Sequence, residues 1–122
     1  MDSAPVKILI IDDEPLIREL LQEYLPQLGY QAILAESGEK ALKLTLNPDV
    51  KLAIVDLRLP GKDGLATIRE LNGKYPELKF IIATAFSTPA AEKTARGLGV
   101  FAQISKPFKL AELQRLIAQA LK

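Results

Sequence analysis

The chain has 122 residues, 16 Lys and Arg against 15 Asp and Glu, 48% hydrophobic residues, and neither Cys nor His. Its size is that of one ordinary domain, and the near-balance of charge gives no whole-molecule field for nucleic acid or an anionic membrane. Without Cys or His it has no disulfide, thiolate metal site, thiol nucleophile, imidazole base or phosphohistidine of its own, so any metal must be held by oxygen, as Mg²⁺, Mn²⁺ or Ca²⁺ are.

In chain order, Met1 to Pro5 carries an Asp and lacks a basic, apolar leader pattern. No later apolar run approaches the ~20 residues that span a bilayer. Both point to a cytoplasmic protein with no membrane partner. Val6 to Ile11 is apolar except for Lys7 and reads as a strand covered on both faces, followed by Asp12-Asp13-Glu14. Leu16, Ile17, Leu20, Leu21, Tyr24, Leu25 and Leu28 recur at one-face helical spacing up to Gly29. Gln31 to Ala35 is a less apolar strand, expected near a sheet edge. Ser37 caps a second helix with Ala41, Leu42 and Leu46 inward, stopping near Asn47-Pro48.

Leu52 to Val55 is a third strand, ending in Asp56. Asp63 caps a helix with Leu65, Ile68 and Leu71 as its stripe. Phe80 to Ala83 is the fourth strand, ending in Thr84. Thr88 and Pro89 read as N-cap and first residue of an Ala-rich, weakly anchored helix that ends near Gly97 or Gly99. Ala102 to Ser105, the second edge candidate, runs into Lys106-Pro107. Leu110, Leu113, Leu116, Ile117, Ala120 and Leu121 form the last helix. The alternation implies a single α/β domain over residues 1–122, five βα units with a parallel sheet and helices on both faces.

In such sheets ligands bind at the carboxyl ends of the strands. Those ends collect Asp12, Asp13, Asp56, Thr84 and Lys106. Any one of these Asp residues is explained by a cap or a turn. Clustered carboxylates repel and lose hydration, and a hard divalent cation relieves both. A cation, an ammonium and a hydroxyl suit the three oxygens of a phosphoryl group in transfer. An ionised carboxylate is a competent nucleophile without a base, which fits a chain lacking His.

Four segments resemble response-regulator receiver domains of two-component signalling. Ile8 to Glu14 resembles the acidic-pair strand, and Asp56-Leu57-Arg58-Leu59-Pro60-Gly61-Lys62-Asp63-Gly64 the phosphorylation loop. Ile82 to Ala85 is similar to the switch-hydroxyl strand, and Ser105 to Phe108 to the lysine turn. The resemblance spans essentially the whole chain. It implies a doubly wound, flavodoxin-like sheet of strand order 2-1-3-4-5. It implies Asp56 as phospho-acceptor and Mg²⁺, with Mn²⁺ as substitute, on Asp13, Asp56 and the Arg58 backbone carbonyl. Asp12 would act through water. Lys106, with a cis bond to Pro107, and Thr84 would engage the phosphoryl group. The implied partners are a sensor histidine kinase or histidine phosphotransfer protein, and an output protein or effector domain. Direct nucleic-acid binding is not expected, and the role is that of a signalling phospho-acceptor rather than an enzyme.

Gln103 departs from the family, in which an aromatic residue or His is common three positions before the lysine. Two readings stay open: a tolerated polar variant, or an output that does not use a ring-flip surface, with Phe101 as substitute. Arg58 and Phe86 flank the site mouth, where Phe86 either limits attack by water or only packs on the loop. Lys109 is a cation where a helix start favours Asp or Ser. An aspartate-based phosphohydrolase is disfavoured by Arg58, which stands where a second Asp would serve as acid and base. A flavodoxin-type cofactor site is disfavoured by Asp12 to Pro15, which repels phosphate. A receiver used only for binding is the third alternative.

Overall fold

The apolar run at the N-terminus becomes an inner strand because both of its faces are covered. In the computed structural model, which describes residues 5–122, β1 (Lys7–Ile11) pairs in parallel with β2 (Gln31–Ala35) on one side and β3 (Val50–Val55) on the other. β4 (Lys79–Thr84) and β5 (Ala102–Ser105) extend the sheet to the order β2-β1-β3-β4-β5. Gln31 to Ala35 and Ala102 to Ser105 are therefore the edges, as their lower apolarity indicated. The reading of Met1 to Pro5 as lacking a leader concerns residues almost wholly outside the described range.

Residues alternate between two cores with the period of two that strands impose. Leu9, Ile11, Ala53, Val55, Phe80 and Ile82 face α2 (Gly38–Lys43), α3 (Gly64–Lys74) and α4 (Pro89–Gly97). Ile8, Ile10, Leu52, Ile54, Ile81 and Ile104 face α1 (Pro15–Gln27) and α5 (Leu110–Ala120). Ile8 to Ile11 are all at 0% exposure. Each such side chain contributes roughly 1.5–3 kcal/mol.

Three expected caps form: Ser37 Oγ accepts from the Lys40 amide, Asp63 Oδ1 from Ala66 and Thr88 Oγ1 from Ala91, at 2.8–3.1 Å. Two expectations are corrected. Leu16 and Leu20, assigned to the apolar stripe of α1, are 77% and 39% exposed, because the stripe runs through Ile17, Leu21, Leu25 and Leu28 and each of the two lies one step around the helix from it. The second helix ends at Lys43 rather than near Pro48. Beyond it the Tyr75 hydroxyl donates to the Leu44 carbonyl and accepts from the Leu46 amide, serving backbone groups that a helix would have paired internally. Leu46 is still buried, from an extended segment.

Candidate functional site: an acidic cluster at the strand ends

Between β1 and β3 the chain changes direction across the sheet, and such a switch point opens a crevice at the strand ends. The ladder continues just past both strands. The Asp12 amide donates to the Ala35 carbonyl and the Asp56 amide to the Ile11 carbonyl, at 3.1 and 3.0 Å. This fixes the two Asp backbones side by side. Asp12 and Asp56 are 3% exposed, whereas Asp13 is exposed. One carboxylate oxygen from each of Asp12, Asp13 and Asp56 lies within 4.8 Å of the others.

The loop after β3 closes on Asp56 through a glycine. A Cβ on Gly64 would lie 2.2 Å from the Asp56 carbonyl oxygen, and the Gly64 amide donates to the Leu57 carbonyl at 2.9 Å. Only glycine lets α3 begin so near the acidic residue. At Gly61 the loop passes through φ +73°, the left-handed region that favours glycine.

Three elements converge on the Asp56 carboxylate. From β4, the Thr84 hydroxyl donates to Oδ1 at 2.8 Å and accepts from the Phe86 amide at 3.1 Å. The Arg58 amide also donates to Oδ1, at 3.1 Å. From the turn after β5, Lys106 Nζ donates to Asp56 Oδ2 at 2.8 Å, to Asp12 Oδ2 at 2.7 Å and to Glu14 Oε1 at 2.6 Å. An ammonium has three hydrogens, and each has a carboxylate partner. The Lys106 amide is itself held by the Thr84 carbonyl at 3.0 Å, and the Lys106–Pro107 bond is cis, as expected.

Charge is strongly felt here because water is largely excluded. Burial raises the pKa of Asp12, against hydrogen bonds from Lys106 and the Glu14 amide that lower it. Burial alone would lower the pKa of Lys106. Its hydrogen bonds to Asp12, Asp56 and Glu14 outweigh that and hold the ammonium well above the usual amine range. One ammonium faces two buried and two exposed carboxylates, so the cluster keeps an excess of negative charge. The side-chain ligand atoms that Asp12, Asp13 and Asp56 offer a metal are all carboxylate oxygens. That set fits a hard divalent cation and does not fit a thiophilic or imidazole-bound metal.

Sequence reasoning identified Asp12, Asp13, Asp56, Thr84 and Lys106, and they come together. Arg58 and Phe86 also meet, the guanidinium carbon 4.3 Å from the ring centroid. Gln103 and Phe101 do not join the cluster. They line a cavity of about 360 Å³ between α4 and β5, where the Gln103 amide donates to Ser87 Oγ. Two contributors were missed. Glu14, the last residue of the acidic run after β1, had no role assigned to it; its side chain makes no cap and turns to Lys106. Arg18 donates to the Asp12 carbonyl at 2.8 Å. Its signal was its place one helical turn after Glu14, on the face that looks toward the site.

A parallel five-stranded sheet with this strand order and an acidic cluster at its switch point is the flavodoxin-like class with an oxygen-donor site. Residues 8–118 match the response regulator receiver domain family, and the chain belongs to it. It is a phospho-accepting receiver of two-component signalling. Among its relatives is the sporulation initiation phosphotransferase F of Bacillus subtilis, 30% identical over 94% of this chain and 93% of that protein. Another is a cyclic di-GMP phosphodiesterase of Thermotoga maritima, 35% identical over 94% of this chain and 31% of that protein. The chain spans about half the length, or less, of several curated relatives that it matches. In solved structures, a CheY-like receiver domain protein of Methanospirillum hungatei superposes with TM-score 0.91 at 25% identity, covering 97% of this chain and 94% of that one. The TrrA response regulator of Thermotoga maritima, in complex with Mg²⁺–BeF, gives TM-score 0.82 at 35% identity over 94% and 98% of the two chains. Among the described residues, no helix is long and apolar enough to cross a membrane.

Proposed function

We propose that Asp56 is the residue that takes the phosphoryl group, in a reaction that requires Mg²⁺, for which Mn²⁺ substitutes. The observation that carries this reading is the convergence on one buried carboxylate, with Thr84 on Oδ1 and Lys106 on Oδ2. The donor is a phosphohistidine of a sensor histidine kinase or of a histidine phosphotransfer protein. An Asp56 oxygen forms the new bond to phosphorus as the nitrogen–phosphorus bond breaks. The electron pair leaves with the imidazole nitrogen, which takes its proton from solvent. Asp13, Asp56 and the Arg58 carbonyl would hold the cation, and Asp12 would reach it through water. Bound there, the cation neutralises charge on the phosphoryl oxygens. Lys106 stays within reach of Asp56 and pairs with one of those oxygens, and the Thr84 hydroxyl donates to another. Arg58 and Phe86, stacked at the mouth, restrict the approach of water to the acyl phosphate.

The chain serves as one receiver domain over residues 1–122, cytoplasmic, and a signalling phospho-acceptor rather than an enzyme with a separate substrate. It assists its own phosphorylation and dephosphorylation. Its output is a protein partner or effector domain reached through protein contacts, without direct nucleic-acid binding by these residues. The presence of Mg²⁺–BeF in a relative's structure supports the choice of cation.

Incubation with a small acyl phosphate, with and without Mg²⁺, followed by intact mass, tests the assignment. One phosphoryl adduct is expected, dependent on Mg²⁺ and lost in Asp56→Asn. An adduct that survives Asp56→Asn would move the acceptor elsewhere. The absence of any adduct, from acyl phosphate and phosphohistidine donors alike, would leave a binding-only module.

A further inference from the structure

The Ser87 hydroxyl sits in the loop between β4 and α4 and links two side chains of opposite kind. The Gln103 amide, on β5, donates to Ser87 Oγ. Ser87 Oγ in turn donates to Glu92 Oε2, in the first turn of α4, at 3.4 Å. One residue earlier in the same loop, the Phe86 amide donates to the Thr84 hydroxyl that engages Asp56. The loop is thus pinned to the sheet edge at Ser87 while Thr84 is on the carboxylate.

We propose that Gln103 is a positioning residue for the phosphoryl-transfer site. Acting through Ser87, it holds the β4–α4 loop in the arrangement that aims Thr84 at Asp56. The inference rests on the reading of Asp56 as acceptor and deepens it, because it assigns a role to a side chain outside the acidic cluster. An aromatic ring at residue 103 would have no amide to give to Ser87. The direction of donation is the distinguishing feature. Gln103 gives a hydrogen, Ser87 passes one on, and the Glu92 carboxylate ends the chain as a pure acceptor. A side chain that merely filled the space between α4 and β5 would need the shape of Gln and not its donor.

Donor direction separates the two cases. Gln103→Glu keeps the shape and removes the donor, leaving two carboxylates to compete for one hydroxyl hydrogen. Combining it with Glu92→Gln reverses the chain: the amide now on α4 donates to Ser87, and Ser87 donates to the carboxylate now on β5. Two readouts are taken on each protein: hydrogen exchange at the Phe86 amide in the unphosphorylated state, and the rate of adduct formation with a small acyl phosphate and Mg²⁺. In Gln103→Leu and Gln103→Glu we expect faster Phe86 exchange and slower phosphorylation, each by roughly fivefold, the size of one net hydrogen bond. The double variant should return both toward wild type. Urea midpoints unchanged between Gln103→Glu and the double variant would assign the recovery to the loop and not to global stability.

Unchanged Phe86 exchange in both single variants would overturn the inference, as would a double variant no better than Gln103→Glu. The exchange readout needs no phosphoryl group. If wild type forms no adduct, the acceptor assignment fails, while Phe86 exchange still decides whether Gln103 holds the loop.

Discussion

Lys106 does two jobs with one ammonium: it neutralises buried Asp12 and Asp56, and on the proposed reading it is poised for a phosphoryl oxygen. Removing one member of a buried, paired set leaves the others uncompensated, which costs about 3–5 kcal/mol. Lys106→Met should therefore lower the stability of the cation-free protein by about 3 kcal/mol in urea unfolding with a chelator present. Mg²⁺ should restore part of that loss. The pH dependence has a definite sign. Because the folded state raises the pKa of Lys106, its stabilising contribution is complete below the ordinary amine value and lost only as pH rises through the folded value. Asp12 is also raised, so the penalty of its charge is absent below the ordinary carboxylate value and grows as pH rises through the folded value. Near neutral pH the penalty of Asp12 and the gain from Lys106 are both in force, so Lys106→Met should be most damaging there and less so in acid. An effect of equal size at both would show that Lys106 acts through packing alone. Asp12, Asp56, Thr84 and Lys106 were legible in the sequence because each directly follows or ends a strand segment, and strand ends are where such sheets bind. The role of Glu14 was not, because an acid just before Pro15 also suits the start of a helix and needs no partner at the site.

Loops and helices near the site divide by how they are held. α2, α3 and α4 begin with a side-chain cap, while α1 and α5 have none. At the start of α1 the side chain that would cap, Glu14, is committed to Lys106 instead. Across the mouth, Arg58 and Phe86 join the β3–α3 and β4–α4 loops by a cation–π contact. Such a contact at an exposed site amounts to about 0.5–1 kcal/mol. Loss of the phosphoryl group, followed by intact mass after the donor is removed, should be about two- to fivefold faster in Phe86→Ala, with Arg58→Ala in the same direction. An unchanged lifetime in Phe86→Ala would reduce the ring to packing. The caps at Ser37, Asp63 and Thr88 were readable, since each is a short polar residue just before an apolar stripe. The early end of α2 was not, because it depends on a Tyr75 hydroxyl that arrives from 31 residues away in sequence. The Gln103–Ser87 contact was hidden for the same reason.

At the scale of the molecule, the periodic alternation of apolar runs implied a parallel sheet between two helical layers, while strand order came from family resemblance and agrees with the structure. Periodicity says which faces are buried and nothing about which strand neighbours which. A cation that binds only the folded state must stabilise the entire chain. At one hundred times its dissociation constant, Mg²⁺ should add about 2.7 kcal/mol to the unfolding free energy. The urea midpoint should climb with Mg²⁺ concentration in wild type and much less in Asp13→Asn. Equal climbs in both would remove Asp13 from the ligand set.

The Thr84 hydroxyl rests on Asp56 in the unmodified protein. On its proposed role the hydroxyl thus already faces the acceptor before any phosphoryl group arrives. A protein arranged this way would meet the first phosphoryl groups delivered with its hydroxyl donor already at hand, and would need little travel of the β4–α4 loop to hold them.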